Sequence, residues 1–180
     1  MEIERTPIEG LLLITPRIFG DDRGHFLESW NRERFNEAVG RPIDLVQDNE
    51  SLSHRNVLRG LHLQLRPHAQ GKLVHVIRGR VLDVVVDVRE QSSTYGQHFK
   101  VELDGESKRM LWIPEGFAHG FLSLENGTIF AYKCTRAYHS ASERTILWND
   151  PDLGIDWGIT DPLLSAKDAQ GIPFDGPWRE

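Results

Sequence analysis

The sequence predicts a mostly β protein, a jelly-roll sandwich or barrel carrying a few short helices. Three observations predict it. Short β-branched runs follow one another from about Asp44 to Thr135. Turn signals separate them, and 16 Gly and 9 Pro are spread evenly along the 180 residues. Helical spacing, by contrast, is clear only once near the start. Several short strands at close intervals with turns between them are the mark of a sandwich or barrel.

The elements follow in order. Asn31 to Val39 reads as a helix, because Asn31 is a good cap and Gly40 a good stop. Lys72–Arg78 and Val81–Arg89 flank Gly79 and are expected to form a hairpin. Gly96–Leu103 and Lys108–Ile113 repeat the pattern around Asp104-Gly105, and Phe117–Leu124 and Thr128–Thr135 repeat it around Asn126-Gly127. The C-terminal part, with Pro151, Pro162, Pro173 and Pro177, reads as loops and one or two short helices packed outside or across an opening. Strand alternation then assigns faces. In Thr128–Thr135 one face carries Thr128, Phe130, Tyr132 and Cys134. In Leu58–Gln64 one face carries Leu58, Gly60, His62 and Gln64, and the other Arg59, Leu61 and Leu63. A polar-lined lumen fits these faces better than a dry core.

Length implies one domain over residues 1–180, with enough chain to bury a core. A net charge of −6 gives no long-range attraction for nucleic acid or an anionic membrane, so a phosphate-bearing ligand needs a local cluster of cations. The single cysteine, Cys134, excludes an intrachain disulfide and a Cys-based zinc site. The apolar run Leu11–Ile14 is too short for a signal segment or a membrane span. The expectation is a cytoplasmic protein.

Five groups of residues are candidates for chemistry. Leu58-Arg59-Gly60-Leu61-His62-Leu63-Gln64, followed by Gln70-Gly71-Lys72, brings a base near neutral pKa close to two cations. The alternative is a hydrogen-bonded core histidine and a surface lysine. Pro114-Glu115-Gly116-Phe117-Ala118-His119 turns a strand and returns a histidine toward the lumen, as a ligand or as a turn support. Tyr132, with Tyr138 and Glu143 downstream, offers a phenolic acid or an ordinary core tyrosine. Ser165 and Asp168 have capping-box spacing, and Asp168 is also a candidate to orient His62. Arg23 and Arg59 have the planar donor fork that grips a diphosphate, although surface arginines are common. A metal site is disfavoured. His62, His68, His75 and His119 lie in the strand region, yet Gln64 stands where a metal-binding cupin barrel carries a second histidine, and Lys72 would repel a dication.

Taken together, six motifs resemble the dTDP-4-dehydrorhamnose 3,5-epimerase family. They are Phe19–Ser29, Gln47–Ser51, Leu58–Gln64, Ile113–Phe121, Tyr132–Thr135 and Leu164–Asp168, in order along the chain. The resemblance implies a cupin-like jelly-roll barrel without metal or cofactor, and a dTDP-4-keto-6-deoxysugar substrate. It implies that His62 is the base, Asp168 its orienting carboxylate, Tyr132 the acid on the opposite face, and Lys72 the cation near the C4 oxygen. Arg23, Arg59 and His119 match groups that hold the diphosphate and sugar, and Glu143 and Lys167 match further binding positions. Glu28, Gln47 and Asn49 match residues reaching the nucleotide from the neighbouring subunit of a homodimer, and Tyr138 matches a residue stacked near the base. Ser140 departs from the family, where proline is usual. Single-carbon epimerisation, keto isomerisation, a metal-dependent cupin enzyme and a non-catalytic nucleotide-sugar binder are the alternatives.

Overall fold

The computed structural model describes residues 1–176 and Trp178; Pro177 lies outside the described residues. Along the chain come β1 (Glu2–Arg5), β2 (Leu12–Thr15), β3 (Ile18–Asp21), β4 (Gly24–Leu27) and α1 (Arg32–Val39). Then come β5 (Gln47–Ser53), β6 (Leu58–Gln64), β7 (Lys72–Arg78), β8 (Arg80–Asp87) and β9 (His98–Asp104). The last elements are β10 (Met110–Ile113), β11 (Phe117–Ser123), β12 (Thr128–Cys134), β13 (Glu143–Thr145) and α2 (Ala166–Ala169). One sheet has the order β1-β2-β10-β7-β12-β5, the facing sheet has the order β13-β6-β11-β8-β9, and β3-β4 form a separate ribbon.

The turns lie where the sequence places them, but the three expected hairpins do not form. β7 pairs with β10 and β12, whereas β8 pairs with β11 and β9. The turns at Gly79, at Asp104-Gly105 and at Asn126-Gly127 each carry the chain from one sheet to the other. Gly79 shows why the corner is tight: its φ is +83°, and a Cβ there would lie 2.5 Å from Thr128 Oγ1. Hairpin signals report a reversal of direction. They do not report whether the two arms stay in one sheet.

The central strands β8, β10 and β11 are covered on both faces, which removes strict alternation there, whereas the edge strand β5 keeps it. Between the sheets pack Val74, Val76, Val81, Val85, Phe121 and Phe130. The outer face of the second sheet buries Leu58, Leu61, Val84 and Val86 under Ile146, Leu153, Trp157 and Trp178 of the C-terminal segment. The outer face of the first buries Leu73, Met110 and Trp112 under Phe35 of α1. That helix starts and stops as its sequence predicts. The Asn31 side chain accepts from the Glu33 and Arg34 amides, and Gly40 closes it at φ +79°.

At the end of β8 the fully buried Asp87 accepts from Arg89, Ser92 and Thr94. Burial opposes its ionisation, but these bonds outweigh burial and hold its pKa at about 2. A depressed folded pKa stabilises the fold above the unfolded value of about 4, and this is lost as pH falls toward 2. Asp87→Asn should therefore cost about 2 kcal/mol at pH 7 by chemical denaturation, and its gap from the parent should shrink between about pH 4 and pH 2.

Candidate active site

The site forms where the lumen-facing rows of the two sheets turn from apolar to polar. On β12, Phe130 is followed on the same face by Tyr132 and Cys134; on β7, Val76 and Val74 lead to Lys72. Lys72 and Cys134 are cross-strand partners, and the Lys72 ammonium lies 6.0 Å from the Tyr132 ring centroid. Opposite them, His62 of β6 pairs in register with His119 of β11.

Close approach of two glycines shapes β6. A Cβ on Gly60, whose φ is +134°, would lie 2.5 Å from the Cα of Gly120. The β6–β11 register shifts here: His62 pairs with His119, but Arg59 pairs with Phe121. The shift corrects the alternation expected for this strand. Arg59 shares the lumen side with His62, and Leu58 packs outward with Leu61 and Leu63. The Arg59 guanidinium crosses to the other sheet, donating to Ser53 Oγ at 3.1 Å and to the Leu52 carbonyl at 3.2 Å.

Asp168 realises both readings of its spacing. Ser165 caps α2 by accepting from the Asp168 amide at 3.1 Å, and its hydroxyl donates back to Asp168 Oδ2 at 2.7 Å. Asp168 Oδ1 then lies 2.5 Å from His62 Nε2 and accepts from the Gly60 amide at 3.3 Å. Burial opposes the Asp168 charge, but the bonds from His62 and Ser165 outweigh it and hold the carboxyl below its usual range. Burial pushes His62 below the ordinary histidine value, with Asp168 acting against that shift. With Nε2 committed to the carboxylate, neutral His62 presents an unprotonated Nδ1. Burial also pushes Tyr132 up, assisted by Cys134 and Glu143, so its phenol stays protonated well above neutral pH. Lys72 is pushed down by burial, with Cys134, Glu143 and Asp83 acting the other way.

Around this centre, Glu143 pairs with Lys167 and accepts from the Tyr138 hydroxyl at 2.7 Å. Gln47 and Asn49 lie on β5 in register with Cys134 and Tyr132, so their side chains line this chain's own site. That corrects the expectation that they reach it from a neighbouring subunit. Gln47 accepts from the Tyr138 amide, and Asn49 donates to Cys134 Sγ. Glu28 and Arg23 are not brought to the site by this chain. Glu28 pairs with Arg34 beside α1, and Arg23 sits at the ribbon tip, 90% exposed and bound to Asp21. Asp83 is a further residue at the site, one the sequence motifs do not include. It is fully buried and lies 2.9 Å from His119 Nε2. A lone acid within Val81-Leu82-Asp83-Val84-Val85-Val86 is the signal that could have found it. Among the described residues, no group of three His, Cys, Asp or Glu side chains is placed to hold a metal ion.

An imidazole held by a carboxylate, with a phenol and an ammonium facing it across a β-sandwich of cupin-like fold, is an arrangement that can move protons on two faces of a bound ligand. Comparison with known proteins gives it a family. The profile described as dTDP-4-dehydrorhamnose 3,5-epimerase matches residues 5–175, and the chain belongs to that family. A Pseudomonas aeruginosa dTDP-4-dehydrorhamnose 3,5-epimerase is 53% identical over 175 residues, covering 97% of this chain and 96% of that one. The crystal structure of a Legionella pneumophila dTDP-6-deoxy-D-glucose-3,5-epimerase in complex with dTDP-4-keto-L-rhamnose is 48% identical. It superposes with a TM-score of 0.93, over 97% of this chain and 93% of that one. A 3'-monoepimerase from Streptomyces bikiniensis, in complex with dTDP-quinovose, is 37% identical with a TM-score of 0.89, over 94% of this chain and 86% of that one.

The His62–Asp168 contact makes a prediction of its own. Because the carboxylate raises the His62 pKa against burial, Asp168→Asn should lower it further. NMR titration of the His62 ring should show the drop; an unchanged midpoint would mean that the pair is not coupled in solution.

Proposed function

We propose that the chain is an isomerase that inverts C3 and C5 of dTDP-4-dehydro-6-deoxy-D-glucose, giving dTDP-4-dehydro-L-rhamnose. The single observation that carries the chemistry is the His62–Asp168 pair, at 2.5 Å, on the wall opposite Tyr132 and Lys72. Both reacting carbons flank the C4 ketone. His62 Nδ1 takes the proton from one of them; the C–H electron pair becomes the C=C bond, and the carbonyl pair moves to the C4 oxygen. The Lys72 ammonium stabilises that enolate, and its partly dehydrated setting strengthens the attraction. Tyr132 returns a proton from the other face, inverting the centre. Exchange with solvent restores both groups before the second carbon reacts. No metal or redox cofactor enters this scheme.

Arg59, His119, Gln47, Asn49, Glu143, Lys167 and Tyr138 hold the sugar and nucleotide in this reading. Arg23 and Glu28 come from the second subunit of a homodimer. The support for that is the ribbon β3–β4, which leaves Phe19 51% and Phe26 70% exposed and carries Arg23 beyond reach of its own site. A nucleotide-sugar substrate and one free cysteine fit the cytoplasm. No helix among the described residues is long and apolar enough to cross a membrane.

A single-carbon epimerase is the second reading, favoured by the likeness to the Streptomyces monoepimerase. Product stereochemistry with the purified protein separates the two.

Deuterium exchange tests the assigned roles. Tyr132→Phe should still exchange the C3 or C5 proton with heavy water, because His62 can remove and return it on its own side. It should form little inverted product. His62→Ala should show neither. Loss of exchange in a folded Tyr132→Phe that still binds dTDP would require the roles to be merged or reversed.

The subunit assignment is tested separately. Phe26→Asp on the ribbon should shift light scattering from dimer to monomer and raise the KM for the nucleotide sugar. A fully active monomeric parent would overturn the assignment of Arg23 and Glu28.

A further inference from the structure

Gln64 is the residue that stands where a metal barrel would carry a ligand, and the acid–base scheme gives it no task. It is 8% exposed and spends both ends of its amide on the backbone of two loops. Its Nε2 donates to the His68 carbonyl at 2.6 Å, and its Oε1 accepts from the His139 amide at 2.8 Å. The preceding amide, that of Tyr138, goes to Gln47 Oε1 at 2.8 Å. Two consecutive backbone N–H groups are thus taken by glutamines on opposite sheets, Gln47 on β5 and Gln64 on β6.

Segment 135–142 is therefore strung between the two sheets. Further ties act in the same sense. Gln70 Nε2 donates to the Arg136 carbonyl at 2.7 Å, and the Leu65 amide donates to the Ser142 carbonyl at 2.8 Å. The His68 and His139 rings stack with centroids 3.7 Å apart and planes at 9°. What this segment presents outward is Tyr138, 54% exposed and tied to Glu143 through its hydroxyl.

We propose that Gln64 is a positioning residue: it holds segment 135–142 so that Tyr138 meets the nucleotide end of the substrate, and it sets affinity rather than turnover. This rests on the reading of Tyr138 as a nucleotide contact. Removing the amide leaves the His139 N–H and the His68 carbonyl without partners, and the segment relaxes to satisfy them with water. His62, Asp168 and Tyr132 are held by other contacts and keep their geometry.

The test is a double-mutant cycle between Gln64 and Tyr138, read by steady-state kinetics and by calorimetric titration with dTDP. Gln64→Leu should raise the KM for the nucleotide sugar and the Kd for dTDP by about tenfold, with kcat within about twofold of the parent. Tyr138→Ala should raise both, and adding Gln64→Leu to it should do little more. An equal effect of Gln64→Leu in both backgrounds, or a fall in kcat without change in KM, overturns the proposal. If Tyr138→Ala weakens dTDP binding and Gln64→Leu does not, the brace alone is wrong. If Tyr138→Ala leaves dTDP binding unchanged, the nucleotide contact itself is wrong, and the brace with it. Should Gln64→Leu fail to fold, Gln64→Glu keeps the shape and the acceptor but not the donor to His68. It must then show the same pattern at smaller size, and parent-like affinity for dTDP overturns the proposal.

Discussion

Asp168 Oδ1 meets both His62 Nε2 and the Gly60 amide, and most of the chain's C-terminal third is arranged around that meeting. A carboxylate so deeply buried is costly unless its oxygens are satisfied, and here Ser165 takes the second one. The short helix α2 has too few turns to stand alone. It is held by the strand-like pairing upstream, where Leu163 exchanges backbone bonds with Leu58 and Asn56. Backbone bonds between Leu61 and Ile146, and between Leu147 and Ile172, fasten the same segment to β6. His62 is thus oriented by a residue over a hundred positions away, because a whole layer of Trp157, Leu153 and Ile146 packs on the outside of its strand.

The same contact depends on Gly60 and Gly120. Only two residues without Cβ let β6 and β11 approach closely enough for the register to shift. Without that shift Arg59 would point outward with Leu61, and the lumen would lose its cation toward Ser53. The electrostatics follow from the same crowding. Burial by itself lowers the pKa of His62 and of Lys72 and raises that of Tyr132. A neutral imidazole and a neutral phenol near pH 7 are what proton removal on one face and return on the other require. The apolar packing of Phe121 and Phe130 beside them would, in the proposed reaction, belong to the acid–base arrangement, since burial is what shifts both groups.

Local signals are legible in the sequence where the physics is local. Asn31 and Gly40 bound α1 because cap and stop are decided within one helical turn. The turns at Gly79, Asp104-Gly105 and Asn126-Gly127 are in place for the same reason. The partners of the strands they join are not legible there. A jelly-roll corner and a hairpin need the same residues at the reversal, and the choice between them is made by pairing with strands far along the chain. Arg59 was misplaced because alternation carries across a strand only when no bulge intervenes, and the glycine opposite Gly60 is sixty residues away. Asp83 was legible as an acid in a valine run, yet nothing local points it at His119. His62, Tyr132, Lys72 and Asp168 were grouped through resemblance, because no spacing rule brings residues on three strands and a helix together.

The arrangement divides labour between central and peripheral strands. His62, His119, Lys72 and Tyr132 lie on strands hydrogen-bonded on both sides, where backbone positions are fixed by two ladders. Gln47 and Asn49 lie on the edge strand β5, and Tyr138 lies on a segment tied mainly by side chains. Arg23 and Glu28 are further out, on or beside a ribbon that packs little against its own barrel. Proton transfer tolerates small errors of placement poorly, and the proposed function gives it to the most rigid elements. Recognition of a large, flexible nucleotide tail tolerates more, and in the proposed function it is distributed over elements that one chain holds loosely and that a second copy would complete.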